Sequence, residues 1–208
     1  MIIFQYHNVT KRLELSMNRV TPGQFRRHLK ILLDLGFRPG SPSELSSILQ
    51  EEAHRGLFLR KPDKNIISPV FLTFDDGMLD LFYHAFPIAD SLGFKGIIFV
   101  VAGYLGKYNL WDTTFGSPRR HLGVNELRLL AEAGWLIGSH SMTHRDLRRL
   151  SHRELLKEVQ DSKALLEDLL GREVLLFSYP FGLADERISK IVKEAGYLGG
   201  FVSYSRSK

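Results

Sequence analysis

Val70-Phe71-Leu72-Thr73-Phe74-Asp75-Asp76-Gly77 is an apolar run that stops at two adjacent carboxylates and a glycine. Rich in β-favouring residues and closed by a turn residue, it reads as a strand buried on both faces, with the acids at its carboxyl end. In α/β folds with parallel strands, that end is where ligands bind and chemistry takes place. Side chains alternate along a strand, so Asp75 and Asp76 can take different roles, one holding a metal and the other handling a proton. Gly77 lets the backbone turn sharply beside them. The alternative reading is a helix start, an Asp N-cap opening an amphipathic helix over Met78 to Leu92.

A second group of chemistry-bearing residues argues for the first reading. Gly138-Ser139-His140-Ser141-Met142-Thr143-His144 follows the apolar Trp135-Leu136-Ile137 and sets two imidazoles four residues apart. Four residues make about one helical turn, so both rings can face one point. Two neutral imidazoles and a carboxylate suit a borderline divalent metal and leave coordination positions open for water and substrate.

The composition is that of an ordinary globular chain: 208 residues, 44% hydrophobic and 25% charged, which fits a single domain over 1–208 with a real core. No stretch approaches the length of a membrane span. Met1-Ile2-Ile3-Phe4 turns polar at Gln5 without the pattern of a signal peptide, so the sequence as written reads as cytoplasmic, and as extracytoplasmic if a leader has been removed. The absence of cysteine excludes disulfides, thiolate ligands and cysteine nucleophiles. The net charge is +5, but Lys and Arg are scattered, with short clusters only at Arg119-Arg120 and from Arg145 to Arg153. No nucleic-acid motif accompanies them, so a solvated surface is expected and no nucleic-acid partner.

In chain order, Ile2 to Tyr6 reads as a first buried strand ending at His7-Asn8-Val9. Thr21-Pro22 opens a helix with the apolar stripe Phe25, Leu29, Leu32 and Leu33, stopped by Gly36. A shorter helix runs from Ser43 to about Glu52, and a polar loop from Ala53 to Pro69. Leu35-Gly36-Phe37, Leu92-Gly93-Phe94, Ala133-Gly134-Trp135 and Ala195-Gly196-Tyr197 each close a helical stretch with glycine and open the next segment with an aromatic. They mark helix-to-strand junctions, with strands expected at Gly96 to Val101, Leu136 to Gly138 and Leu198 to Val202. A further strand, Val174 to Ser178, follows a helix from His152 to Leu170 that has a Ser151/Glu154 capping box and a glycine stop at Gly171. Strands alternating with helices predict an α/β fold with a mostly parallel sheet, closed or nearly closed into a barrel.

The order Thr73-Phe74-Asp75-Asp76-Gly77, His140-Ser141-Met142-Thr143-His144 and Ser178-Tyr179-Pro180-Phe181-Gly182 resembles the polysaccharide deacetylase family, the NodB-homology domain of carbohydrate esterase family 4. The resemblance spans nearly the whole chain. It implies a distorted, incomplete (β/α) barrel and a divalent ion, zinc before cobalt, nickel or iron, held by Asp76, His140 and His144. Asp75 is then the general base, and the Tyr179 backbone N–H a donor to the developing oxyanion. The implied reaction is removal of N-acetyl groups from the amino sugars of a glycan, water being acidified and the acetyl carbonyl polarised at the ion.

Many members carry the general acid as a late Leu-x-His histidine, whereas this chain has no histidine beyond His152. A branch resembling the poly-N-acetylglucosamine deacetylases begins with Tyr-His-x-Val, matched here by Tyr6-His7-Asn8-Val9, which implies His7 as the acid; the plainer alternative is a histidine hydrogen-bonded near the barrel rim. Two departures stand out. The third motif lacks the arginine that orients the base in many members, offering Phe177-Ser178-Tyr179-Pro180, and the C-terminal part is short. Trp111-Asp112 matches a common Trp-Asp pair and reads equally as a lid with a local Asp cap. The other histidines, His28, His54, His84, His121 and His152, read as surface groups, and Phe58, Tyr83, Tyr104 and Tyr108 as core or rim packing that could line a groove. Two other readings are an amidase acting on a non-sugar C–N bond and a glycan-binding domain without turnover. An iron oxygenase shares the ligand set but usually sits on an all-β scaffold.

Overall fold

The structure, a computed structural model, describes residues 2–11, 19–55, 69–109 and 118–202. Its strands are β1 (Ile2–Tyr6), β2 (Asn8–Val9), β3 (Arg19–Val20), β4 (Arg38–Pro39), β5 (Pro69–Phe74), β6 (Gly96–Val100), β7 (Leu136–Ser139), β8 (Leu176–Ser178) and β9 (Gly199–Phe201). The apolar run is β5, buried from Val70 to Phe74. It pairs with β1 and β6, and the sheet runs β1-β5-β6-β7-β8-β9, with β4 against the start of β5. Every pairing is parallel. Among the described residues β1 and β9 are the two ends of the sheet, which curls into a half-barrel with helices packed against it, the incomplete (β/α) barrel expected.

Local chemistry accounts for the element ends. Thr21 and Gln24 form a reciprocal capping box that starts α1 (Pro22–Asp34), which buries Phe25, Leu29 and Leu32. α2 (Pro42–Arg55) is longer at both ends than the sequence suggests: Ser41 Oγ accepts from Glu44 N at 3.1 Å, so Pro42 becomes the first helical residue. The rest of the polar loop, with Phe58, lies outside the described residues. α3 (Phe86–Ser91) continues a π-helical turn at Leu81–Ala85, and α4 (Val124–Glu132) precedes β7. The expected helix from His152 is α5 (His152–Leu156) and α6 (Ser162–Leu170), joined by a second π-helical turn at Lys157–Asp161. α7 (Glu186–Glu194) is capped by Asp185, which accepts from Ile188 N at 2.8 Å.

The glycine-aromatic junctions are physical stops. Gly36, Gly93, Gly134 and Gly196 all have φ between 77° and 86°. After each, the aromatic N–H reaches back to the helix: Phe37 to Leu32 O, Phe94 to Ala89 O and Trp135 to Leu130 O at 3.0 Å, and Tyr197 to Val192 O at 3.3 Å. The same aromatics then enter the core. Trp135 stacks on Phe74 with ring centroids 5.6 Å apart, and Gly96 makes room for it, since a Cβ there would stand 2.2 Å from the indole. The other face of the sheet packs Phe71, Ile97, Phe99 and Leu176 around Leu45 of α2. Both faces of β5 are thus sealed, and its polar residues emerge only at the carboxyl end.

Candidate active site

β5 stops at Phe74, and Asp75 N still donates to Tyr6 O of β1 at 3.1 Å. Asp76 and Gly77 then turn the chain with φ of 67° and 62°. Glycine is required at the second position, because a Cβ would stand 2.7 Å from Val100 Cγ1. The acids are not a helix cap: the following turn begins after Asp80, and no side chain caps it.

A neighbouring hairpin clamps this turn. Leu79 N donates to Arg120 O at 2.8 Å, Leu122 N donates to Gly77 O at 2.9 Å, and His121 Nδ1–H donates to Asp76 O at 2.8 Å. A carbonyl only accepts, so Nδ1 is the protonated nitrogen. His121 is 1% exposed, which corrects its reading as a surface group: burial pushes its pKa down to about 4, and only the tertiary crossing of the hairpin over Asp76 puts it there.

The two imidazoles converge without a helix. His140 leaves the end of β7, and the chain then turns through Ser141 at φ 65° and His144 at φ 59°. The expected common focus is reached by two left-handed residues and not by one helical turn. Ser141 Oγ accepts from His144 N at 3.0 Å, and Glu158 of the second π turn accepts from Met142 N at 3.0 Å, from Thr143 N at 2.8 Å and from Thr143 Oγ1. His140 Nδ1–H donates to Ser178 O at 2.8 Å, which leaves its Nε2 lone pair free to face Asp76.

Asp76 Oδ1 lies 3.6 Å from His140 Nε2 and 3.4 Å from His144 Nε2, and one ligand atom from each of the three residues lies within 4.8 Å of the others. Two ligands of a tetrahedral ion at about 2.0–2.1 Å stand about 3.4 Å apart, so this spacing fits a divalent cation. Protonation agrees. Burial lowers the pKa of His140 and brings His144 to about 4, keeping both rings neutral. Burial alone would raise Asp76, but the facing imidazoles His140 and His144 outweigh it and hold the carboxyl below its ordinary value.

Asp75 is 2% exposed, and its two oxygens differ. Oδ2 accepts from Gln5 Nε2 at 2.6 Å and from Ser178 Oγ at 3.2 Å, whereas Oδ1 is buried with no hydrogen-bond partner. Burial is the first cause raising its pKa, to about 7, with the Asp76 charge adding to it and His7, Gln5 and Ser178 opposing. His7 follows β1 and is partly exposed, and its charge acts on Asp75, Asp76 and His144, so it belongs to the same mouth. The Tyr179 backbone N–H donates to Phe201 O at 3.0 Å in the ladder to β9. The residue of this turn that meets the histidines is Phe181, at φ 60°, with its ring 4.7 Å from that of His144. Trp111 and Asp112 lie outside the described residues. Tyr83 and Tyr108 are exposed, and Tyr104 packs on His121 at 5.8 Å.

The sequence profile named polysaccharide deacetylase matches residues 63–200. The Bacillus subtilis protein YxkH, itself assigned to polysaccharide deacetylases, is 28% identical over 198 residues, 95% of this chain and 62% of its own length. The poly-β-1,6-N-acetyl-D-glucosamine N-deacetylase of Staphylococcus aureus strain MSSA476 is 27% identical over 157 residues, 70% of this chain and 51% of its own. The chain thus spans between half and two thirds of these relatives. Among solved structures, Streptococcus pyogenes deacetylase PplD in complex with acetate superposes with a TM-score of 0.77 at 23% identity, covering 98% of this chain and 83% of PplD. IcaB from Ammonifex degensii gives 0.73 at 23% identity, covering 94% and 80%. At that identity the superpositions establish the fold.

Proposed function

The chain belongs to the polysaccharide deacetylase family, and on that footing we propose that it is a single-domain, metal-dependent hydrolase that removes N-acetyl groups from the amino sugars of a glycan. The observation that carries the reading is the cluster of Asp76, His140 and His144, with both Nε2 atoms turned to one carboxylate oxygen beside the buried Asp75. The substrate class draws support from the Staphylococcus aureus relative, whose name specifies poly-β-1,6-N-acetyl-D-glucosamine. An iron oxygenase has no support in a parallel sheet covered by helices.

Amide hydrolysis needs a nucleophile, a stabilised oxyanion and a proton for the leaving amine. A divalent ion held by Asp76, His140 and His144, zinc before cobalt, nickel or iron, acidifies water and polarises the acetyl carbonyl when bound. Asp75 takes the proton of the attacking water at Oδ1, the oxygen with no other partner. His7, whose charge acts on Asp75 across the mouth, gives a proton to the departing sugar amine. The water oxygen bonds to the acetyl carbon first, the carbonyl electron pair moving to its oxygen, and the C–N bond breaks when that carbonyl re-forms and the amine takes its proton, so that acetate and a free amine leave.

The test is metal content and acetate release on the same preparations. Wild type binds about one divalent ion per chain and releases acetate from N-acetylglucosamine oligomers, and Asp76→Ala loses both. Failure of the wild type to bind zinc, cobalt, nickel or iron would sink the proposal. Metal binding without acetate release would leave a glycan-binding domain or an amidase with another substrate.

A further inference from the structure

Asp75 Oδ2 carries two hydrogen bonds, and the donors come from far apart in the chain. Gln5 lies on β1, 70 residues away, and donates from Nε2 at 2.6 Å. Ser178 ends β8, 103 residues away, and donates from Oγ at 3.2 Å. β1 pairs directly with β5, while β8 lies three places from β5 in the curled sheet, so the carboxylate is held from two directions. Two donors on one oxygen fix the rotation of the carboxylate plane, which a single donor would not. The other oxygen, Oδ1, is left buried and unpartnered.

Resting on the deacetylase reading above, we infer that Gln5 and Ser178 are positioning residues that hold Asp75 by Oδ2 and present Oδ1 to the attacking water. They do here what an arginine does in relatives whose third motif begins with one. The third motif keeps one share of that work, since the Ser178 hydroxyl reaches Asp75 while its carbonyl accepts from His140 Nδ1–H. The larger share moves to β1. Gln5 lies on β1 and His7 follows its end, so the segment that delivers the proposed acid also steadies the base. The absence of the arginine therefore does not mark a dead site. Neither residue touches the substrate, and both act through Asp75.

The experiment compares zinc-loaded wild type with Gln5→Ala, Gln5→Glu, Ser178→Ala and the Gln5→Ala/Ser178→Ala double variant, measuring kcat and KM for N-acetylglucosamine oligomers and zinc affinity by titration. Gln5 is exposed on an edge strand, so the changes at Gln5 do not threaten the core. Gln5→Glu keeps the size of the side chain but replaces the donor with a carboxylate oxygen. The expected result is a kcat lowered about 10-fold to 100-fold in Gln5→Ala, and at least as far in Gln5→Glu, with KM and zinc affinity held. The double variant departs from the product of the single effects, because each donor partly covers for the other. Wild-type kcat in Gln5→Glu overturns the inference, as does a loss that falls equally on zinc affinity. Absence of turnover in the wild type overturns the deacetylase reading instead. The side-chain amide resonances of Gln5 then decide the hydrogen bond directly: they move in Asp75→Ala if it exists and stay put if it does not.

Discussion

His7 lies outside the buried core. It is partly exposed just past β1, and its charge acts on Asp75, Asp76 and His144. His7→Ala should therefore slow acetate release by about two orders of magnitude, the ordinary weight of general acid catalysis, while zinc affinity stays at the wild-type value. Unchanged turnover would remove His7 from the mechanism. At this scale the cluster of Asp76, His140 and His144 was legible because its members sit in short motifs whose chemistry is local. The reason offered for the histidine spacing was wrong: the chain brings the rings together through left-handed Ser141 and His144. His121 and Gln5 were not legible. One is buried only because a hairpin crosses Asp76, and the other meets a partner 70 residues on, and neither relation leaves a periodic trace.

The long helix before β8 carries a feature that its ends do not betray. Its capping box and glycine stop were readable, but the π-helical turn at Lys157–Asp161 was not, since the preference for it lies in tertiary contacts. That turn holds Glu158, 5% exposed, against the loop between His140 and His144. Three donors from Met142 and Thr143 meet its carboxylate. Glu158→Leu keeps the bulk but removes the acceptor, so the Met142 and Thr143 backbone N–H groups lose their partner in a partly buried place. It should cost about 1–3 kcal/mol in urea unfolding and weaken zinc binding about 10-fold, because His144 loses the loop that fixes it. Zinc affinity equal to wild type would show that the loop holds itself. The strands were the most readable elements. Their apolar runs and glycine-aromatic stops state both ends, and the Schellman-type bonds after Gly36, Gly93, Gly134 and Gly196 are the reason.

Across the whole molecule, the proposed metal ligands and the proposed acid are not mounted on the same part of the sheet. Asp76, His140 and His144 follow β5 and β7, which have neighbours on both sides, whereas Gln5 lies on β1 and His7 just past it, and β1 pairs among the described residues with β5 alone. Ile3 and Phe4 are each 37% exposed, so the apolar anchors of that strand are Tyr6 at its end and the partly buried Ile2 at its start. A sheet opens first at such an edge. The amides of β1 should exchange with deuterium faster than those of β6 and β7, and on warming, acetate release should fail at a lower temperature than zinc release. Coincident failure would mean that the edge is as firm as the centre. An acid delivered from the end of an edge strand would turn thermal fraying into a reversible brake: the protein would idle with its ion still in place and resume when the strand returned.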